Sequence, residues 1–210
     1  MASKDLSWKY VEQSTLEPEV IAAARTQSLE LGIDPVSPAT GAQLAVLAAA
    51  LDASTMIEIG TGIGVSGLWL LTGAPDAHLT SIDLEADHHD VARQFFTDAG
   101  HAAARVRLIT GRAADVLPRM NEASYDLVLI DADADAVLEY VEHALRLVRP
   151  GGVVVLAHAL WRDSVADPAR RETVTTQLRD LIAELASSPA VHVSLSPVGD
   201  GLLQLVTRRG

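Results

Sequence analysis

Residues 55 to 71 read TMIEIGTGIGVSGLWLL, and the reading of this stretch decides the fold. Thr55 to Ile59 is a β-branched, apolar run of the kind that forms a strand buried on both faces of a parallel sheet. Gly60, Gly62, Gly64 and Gly67 end it abruptly, and from Ser66 to Leu71 the chain is again apolar and helical. Without a Cβ the backbone can take positive φ and pass close to a ligand, while the amides that open the following helix stay free to donate. The pattern Gly62-x-Gly64-x-x-Gly67 also fits a dinucleotide fingerprint, and a glycine turn can simply lead an α/β chain into a helix. A dinucleotide, a nucleoside or no ligand therefore remain open on this stretch alone.

Strands and helices alternate on either side of it. Before it, residues 8 to 31 read as helix with a break or start at Pro18 and a stop at Gly32. Val36-Ser37-Pro38 is an extended link, and Ala39 to Leu51 is an alanine-rich helix. After it come a strand at Leu79 to Ile82 ending in Asp83, a helix over Val91 to Ala99, and a strand at Arg105 to Ile109. A short helix over Ala113 to Met120 leads to a strand at Tyr125 to Ile130 ending in Asp131. A helix over Val137 to Val148 and a strand at Val153 to Ala157 follow. Such alternation predicts a parallel sheet covered by helices on both faces. After a helix from about Pro168 to Leu185, strands at Val191 to Leu195 and Leu202 to Thr207 are joined only by Ser196 to Gly201. That link is too short for a crossover, so these two strands pair antiparallel. The expectation is one α/β domain: a doubly wound, Rossmann-like sheet of seven strands, mostly parallel, closed by an antiparallel C-terminal hairpin. Residues 1–53 form a helical cap over a core at 54–210.

A chain of 210 residues, 49% of them hydrophobic, can bury one good core. Sixteen basic against 28 acidic residues give −12, which opposes nucleic acid and anionic membrane surfaces and suits a small neutral or cationic ligand. The absence of cysteine excludes disulfides, thiolate zinc sites and a cysteine nucleophile. Lys4, Asp5, Lys9 and Glu12 give the amino terminus no signal-peptide character, and the longest apolar run, Val153 to Leu160 with His158 inside it, is too short to span a bilayer. The expected location is cytoplasmic.

In open α/β sheets a ligand lies beyond the carboxyl ends of the strands at the switch in strand order. That rule selects the Gly60 to Ser66 turn, Asp83 with Leu84, the Gly111 to Ala114 turn, Asp131 with Asp133, and Ala157 with His158. Asp83, about twenty residues beyond the glycines, is placed to accept both hydroxyls of a ribose, or else to cap the next helix. Glu58 points toward the same crevice or is a strand residue with a nearby partner. Asp131 and Asp133 could bind a divalent cation, a substrate hydroxyl or the cofactor, while Asp135 reads as a helix cap. His158 is either a satisfied buried histidine or an acid, base or orienting group. His88 and His89, adjacent on a helix, read as solvated, Trp69 as helix packing, Arg112 as a surface residue, and Trp161 as a wall of a substrate pocket or a subunit contact.

Taken together, E-I-G-T-G-I-G-V-S-G-L-W-L, S-I-D, L-V-L-I-D-A-D, R-P-G-G, L-W-R-D-S-V-A-D-P and V-G-D-G-L resemble the bacterial S-adenosylmethionine-dependent O-methyltransferases related to catechol and caffeoyl-CoA O-methyltransferases, over nearly the whole chain. The resemblance implies the class I methyltransferase form of the fold and S-adenosyl-L-methionine as cofactor, with S-adenosyl-L-homocysteine as product. It further implies Val36, Glu58, Gly60, Thr61, Ser66, Asp83, Ala114 and Asp133 around that cofactor, and a homodimer. The chain departs from the metal-using members at two places. Their lysine after I-D-A-D is Ala134, and their aspartate-asparagine pair is Ala157-His158, so of three expected metal ligands Asp131 alone remains. Asp131 and His158 are the only candidates to hold a metal, a poor set for magnesium, so magnesium dependence is expected to be weak or absent. His158, aided by Asp131, is then the candidate base for methylation of a small phenol- or catechol-like hydroxyl. The competing readings are a cofactor-binding protein whose catalysis has decayed and a nucleotide-dependent oxidoreductase. The second of these lacks a substrate domain.

Overall fold

The computed structural model describes residues 2–132 and 134–209. Three helices come first, α1 (Ala2–Ser14), α2 (Glu19–Glu30) and α3 (Pro38–Ala50). Pro18 precedes α2 as its N-cap residue, which is the break expected there. Ser37 caps α3 by accepting from the Thr40 amide at 3.2 Å, with Pro38 in the first turn where no amide is needed. Glu12 of α1 reaches the same end, accepting from Ser37 Oγ at 2.7 Å and from the Ala39 amide at 3.0 Å. Its carboxylate thus sits against the positive end of α3, and α1 is docked there.

The alternating part follows as β1 (Thr55–Ile59), α4 (Val65–Gly73), β2 (His78–Asp83), α5 (Ala86–Asp98), β3 (Val106–Thr110), α6 (Ala113–Val116), β4 (Tyr125–Ile130), α7 (Val137–Leu147), β5 (Val148–Leu156), α8 (Thr173–Ser187), β6 (Val191–Ser196) and β7 (Leu202–Thr207). The sheet order is β3-β2-β1-β4-β5-β7-β6, with β7 antiparallel to both of its neighbours. The seven strands and the closing hairpin are therefore as the sequence reads. Strand residues alternate between two cores. Met56, Leu127, Leu129, Val153 and Val155 face the layer of α2 to α5, whereas Ile57, Ile59, Val128, Ile130, Val154 and Leu156 face α7 and α8. Trp69 packs on the first face against Gly41, where a Cβ would collide with its indole.

Several boundaries differ from the sequence reading. β5 begins at Val148, running through Pro150 and the glycine pair with a register shift against β4. α8 begins at Thr173, and residues 158–172 are mostly turns. Arg179 of α8 holds those turns by donating to the carbonyls of Ser164, Val165, Asp167 and Arg170. Asp135 does not cap α7, because a 3-10 turn over Ala134–Ala136 intervenes and Ala136 is the N-cap residue. At the amino ends of the strands, Asp126 accepts from the amides of Ser54 and Thr55 at 2.7 and 2.9 Å and from Arg149 Nε at 2.5 Å. Among the described residues no helix is long and apolar enough to cross a membrane.

Candidate active site

Strand order reverses between β1 and β4, and their carboxyl ends nearly touch. Gly60 has φ +94°, and a Cβ on it would overlap the carbonyl of Asp131, so the close approach requires glycine. The Gly60 amide bonds Ile82 O and the Asp131 amide bonds Ile59 O, both at 2.8 Å, which fixes the two loops at the mouth of the switch point.

Three cavities run around this turn. A cleft of about 260 Å³ is lined by Gly60, Gly62, Asp83, Leu84, His88 and Asp131. A small inner cavity shares Gly60, Gly62 and Asp131 with it and adds Thr61 and Ser66. A wider cavity of about 470 Å³ meets the inner one at Asp34 and Pro35 and is lined by Trp8, Val36, His158 and Asp200. Asp83 Oδ2 accepts from the Gly62 amide at 2.8 Å and Oδ1 from the Glu85 amide at 3.0 Å. The carboxylate therefore ties the glycine turn to the start of α5 and keeps acceptor capacity for ligand hydroxyls in the cleft. At the inner cavity α4 starts behind Gly64, which offers no capping side chain, so its first amides are donors available to an anionic group.

Glu58 is fully buried beneath the turn, accepting from Ser66 Oγ at 2.6 Å and Ser81 Oγ at 2.5 Å. Burial pushes its carboxyl up to about 8; the two hydroxyl donors oppose the rise, and the charges of Asp131 and Asp83 add to it. The second group is centred on His158. Its Nε2 lies 3.3 Å from Asp131 Oδ1 and its Nδ1 lies 3.5 Å from Asp200 Oδ2. The hydrogen bond to Asp131 raises the imidazole to about 8 against the opposing effect of burial, with the charges of Asp131, Asp200 and Asp34 adding to the rise. His158 stands at φ +55°, and Trp161, Arg162 and Asp163 also have positive φ. This strained turn is held by Asp200, whose Oδ1 accepts from the Arg162 amide at 2.6 Å and whose carbonyl accepts from the Leu160 amide at 2.9 Å.

Gly60, Gly62, Thr61, Ser66, Asp83, Leu84 and Asp131 thus share one crevice. Val36 lies in the wider cavity, Glu58 acts from below through Ser66, and Ala113 rather than Ala114 forms the wall at α6. Ala114 packs half-buried against the second core. Asp133 lies outside the described residues. Three expectations need correction. His89 is not solvated but 3% exposed, between Thr61 and Thr110, because α5 starts five residues earlier than its apolar pattern suggested and turns this face inward. His88 lines the cleft. Trp161 packs against the second core, and Trp8 of α1 takes the place over the wider cavity. Asp34, Trp8 and Asp200 were missed, since each is brought in by a loop or helix remote in sequence. Only the acidic Gly-Asp-Gly turn around Asp200 was a visible signal.

Among the described residues no group of three or more His, Cys, Asp or Glu side chains is arranged to hold a metal ion. Asp131 and Asp200 stand at opposite nitrogens of His158, Ala157 offers no ligand, and two carboxylates held apart by an imidazole do not meet the oxygen-rich demand of magnesium. The described residues do not fit a magnesium centre.

A sheet of this order with a cleft at its switch point places the chain among the Rossmann-like methyltransferases. It belongs to the O-methyltransferase family, whose model matches residues 11–209. A protein of Mycobacterium ulcerans, provisionally named an O-methyltransferase, is 42% identical over 198 residues, covering 94% of this chain and 88% of its own length. A crystal structure from Corynebacterium glutamicum superposes with a TM-score of 0.90 at 34% identity, covering 100% of this chain and 99% of that one. The O-methyltransferase TomG of Streptomyces achromogenes, involved in tomaymycin synthesis and solved in complex with S-adenosylmethionine, gives 0.84 at 28% identity over 96% and 95% of the two chains.

Proposed function

We propose that this protein transfers a methyl group from S-adenosylmethionine to a hydroxyl of a small phenol- or catechol-like molecule, without magnesium, and that His158 takes the hydroxyl proton. The observation that carries this reading is the imidazole of His158, held between Asp131 and Asp200 at the border of the donor crevice and the wider cavity.

Asp83 would hold the ribose, Leu84 and Ala113 the base, and the amides at the start of α4 the methionyl carboxylate. When bound, the sulfonium supplies an electrophilic methyl and a good leaving group. The protein's task is then to align the acceptor oxygen with the methyl–sulfur bond and to remove its proton. In the neutral imidazole, Nε2–H donates to Asp131 and the Nδ1 lone pair faces the wider cavity. An acceptor hydroxyl brought beside Nδ1 gives its proton to Nδ1, and the imidazolium so formed is stabilised by both carboxylates. The acidic lining of that cavity, with Asp34, Asp163 and Asp200 against Arg162, suits a neutral or cationic acceptor better than a polyanionic one.

Turnover on a panel of phenols and catechols, with chelator and with added magnesium, tests the reading. Methyl transfer that is equal in both conditions supports it. Tight donor binding with no turnover on any acceptor would favour a binding protein whose catalysis has decayed, a reading motivated by Ala157 and His158 at the family's metal positions.

A further inference from the structure

An unbroken line of hydrogen bonds leads from Glu58 to the surface. Ser81 Oγ is 2.5 Å from Glu58 Oε2 and 2.6 Å from Thr61 Oγ1. Thr61 Oγ1 is 3.0 Å from His89 Nε2, and His89 Nδ1 is 2.9 Å from Thr110 Oγ1. Glu58, Ser81, Thr61 and His89 are all buried, whereas Thr110 ends β3 exposed to solvent. Every member both donates and accepts, so the line can be ordered in two directions. With Glu58 protonated, it donates to Ser81, Ser81 to Thr61, Thr61 to Nε2, and Nδ1–H to Thr110. With Glu58 ionised every bond reverses and His89 takes the other tautomer. Moving one proton along each bond, from Glu58 outward and from Thr110 to water, converts the first arrangement into the second with no atom left unbalanced.

From this geometry, and resting on the donor-binding reading above, we propose that Ser81, Thr61, His89 and Thr110 form a proton wire through which Glu58 ionises when the cationic methyl donor binds and regains its proton when the product forms. The donor carries one more positive charge than S-adenosylhomocysteine, and a buried carboxylate under the turn is the complementary charge. His89 suits the relay because burial lowers its pKa, keeping it neutral. Asp83 and Asp90 oppose that lowering, and Arg93 and His88 add to it. Among the described residues, Glu58 faces Ser66, Ser81, Asp131 and Asp83, and no cation is among the groups that shift it. His89 is thus a positioning and relay residue that touches no substrate.

Titration calorimetry at pH 7 in buffers of different ionisation enthalpy counts the protons released. With Glu58 starting at about 8, S-adenosylmethionine should displace about 0.9 proton per site and S-adenosylhomocysteine close to none. The ligands' common amino group cancels in the comparison. Glu58→Gln, which mimics the protonated form, should still bind the product but show no difference between the ligands. His89→Leu should delay the proton signal of a pH dye at least about tenfold behind donor binding in stopped flow. Equal proton release for both ligands, or a difference that survives Glu58→Gln, would overturn the proposal while leaving the methyltransferase reading intact. An undelayed signal in His89→Leu would overturn the wire. Failure of both ligands to bind the native protein would overturn both.

Discussion

Replacing His158 by glutamine should remove both the rate and its pH dependence, and the size of each effect follows from the site. The imidazole is raised to about 8 first by its hydrogen bond to Asp131, against burial, and then by the charges of Asp131, Asp200 and Asp34. Only the neutral ring can accept a proton, so activity is lost as pH falls through the raised value. At pH 7 about one molecule in ten carries the neutral ring, and at pH 6 about one in a hundred. kcat should therefore climb about tenfold per pH unit below 8 and level off above it. Measuring kcat with both substrates saturating keeps the ionisation of Glu58 on donor binding out of the profile. His158→Gln should lower kcat by at least about a hundredfold, with donor affinity retained in calorimetry, and should abolish the acid limb. Asp200→Asn, which removes one of the charges that favour the imidazolium, should move the limb toward lower pH. A near-normal kcat in His158→Gln, or a limb near pH 8 that survives it, would refute the assignment.

Asp126→Ala should destabilise the fold by about 2 kcal/mol near neutral pH, because burial is outweighed by the Ser54 and Thr55 amides, the Ser54 hydroxyl and Arg149, which lower its carboxyl from 3.8 to about 2. That contribution is present above pH 4 and disappears as pH falls toward 2, so urea unfolding of the native chain and of the Asp126→Ala variant should converge in acid. Gly60→Ala forces a Cβ into the Asp131 carbonyl at positive φ and should lower the melting temperature by several degrees while abolishing donor binding, both read in one thermal-shift titration. Asp83→Ala should weaken S-adenosylmethionine by roughly tenfold to a hundredfold, the worth of one or two lost charge-assisted hydrogen bonds, as measured by calorimetry. Exhaustive chelation should leave turnover within about twofold of the untreated protein.

The sheet was legible because its signals are local and redundant. Thr55–Ile59, Tyr125–Ile130 and Leu202–Thr207 are strands over the residues read from the sequence, each an apolar run bounded by glycine or a charge. The crevice at the switch point was legible for a related reason, since Gly60 and Asp83 owe their places to backbone geometry that only particular residue types satisfy. The wider cavity beside it was not. Asp200 meets His158 across a strand turn and holds the strained turn over His158 to Asp163, Trp8 arrives on a helix docked through Glu12, and the turns from Ser164 to Arg170 depend on Arg179 of α8. Each of these is a long-range contact with no sequence period to announce it. His89 was missed because hydrophobic patterning cannot see a buried polar residue whose partners are side chains from other segments.

On the proposed reading a proton, in place of a metal ion, controls this site, and the charges at the mouth of the sheet support it. Asp131 and Asp200 converge on one point from β4 and the β6–β7 turn, and two carboxylates there need a positive partner. The imidazolium of His158 supplies it with a geometry the ring itself dictates, one nitrogen to each carboxylate. The acceptor must then enter beside Nδ1, where a hydroxyl donates its one proton to the neutral ring and an ether, which has no proton to donate, cannot. Product ether would leave Nδ1–H and Asp200 to close on each other again. Release is thereby favoured by the same pair that positioned the substrate. If so, an O-methylated product should inhibit far more weakly than the free hydroxyl compound binds, and Asp200→Asn, which weakens the closure, should narrow that gap. Equal affinities for hydroxyl and ether in the native protein would contradict this argument.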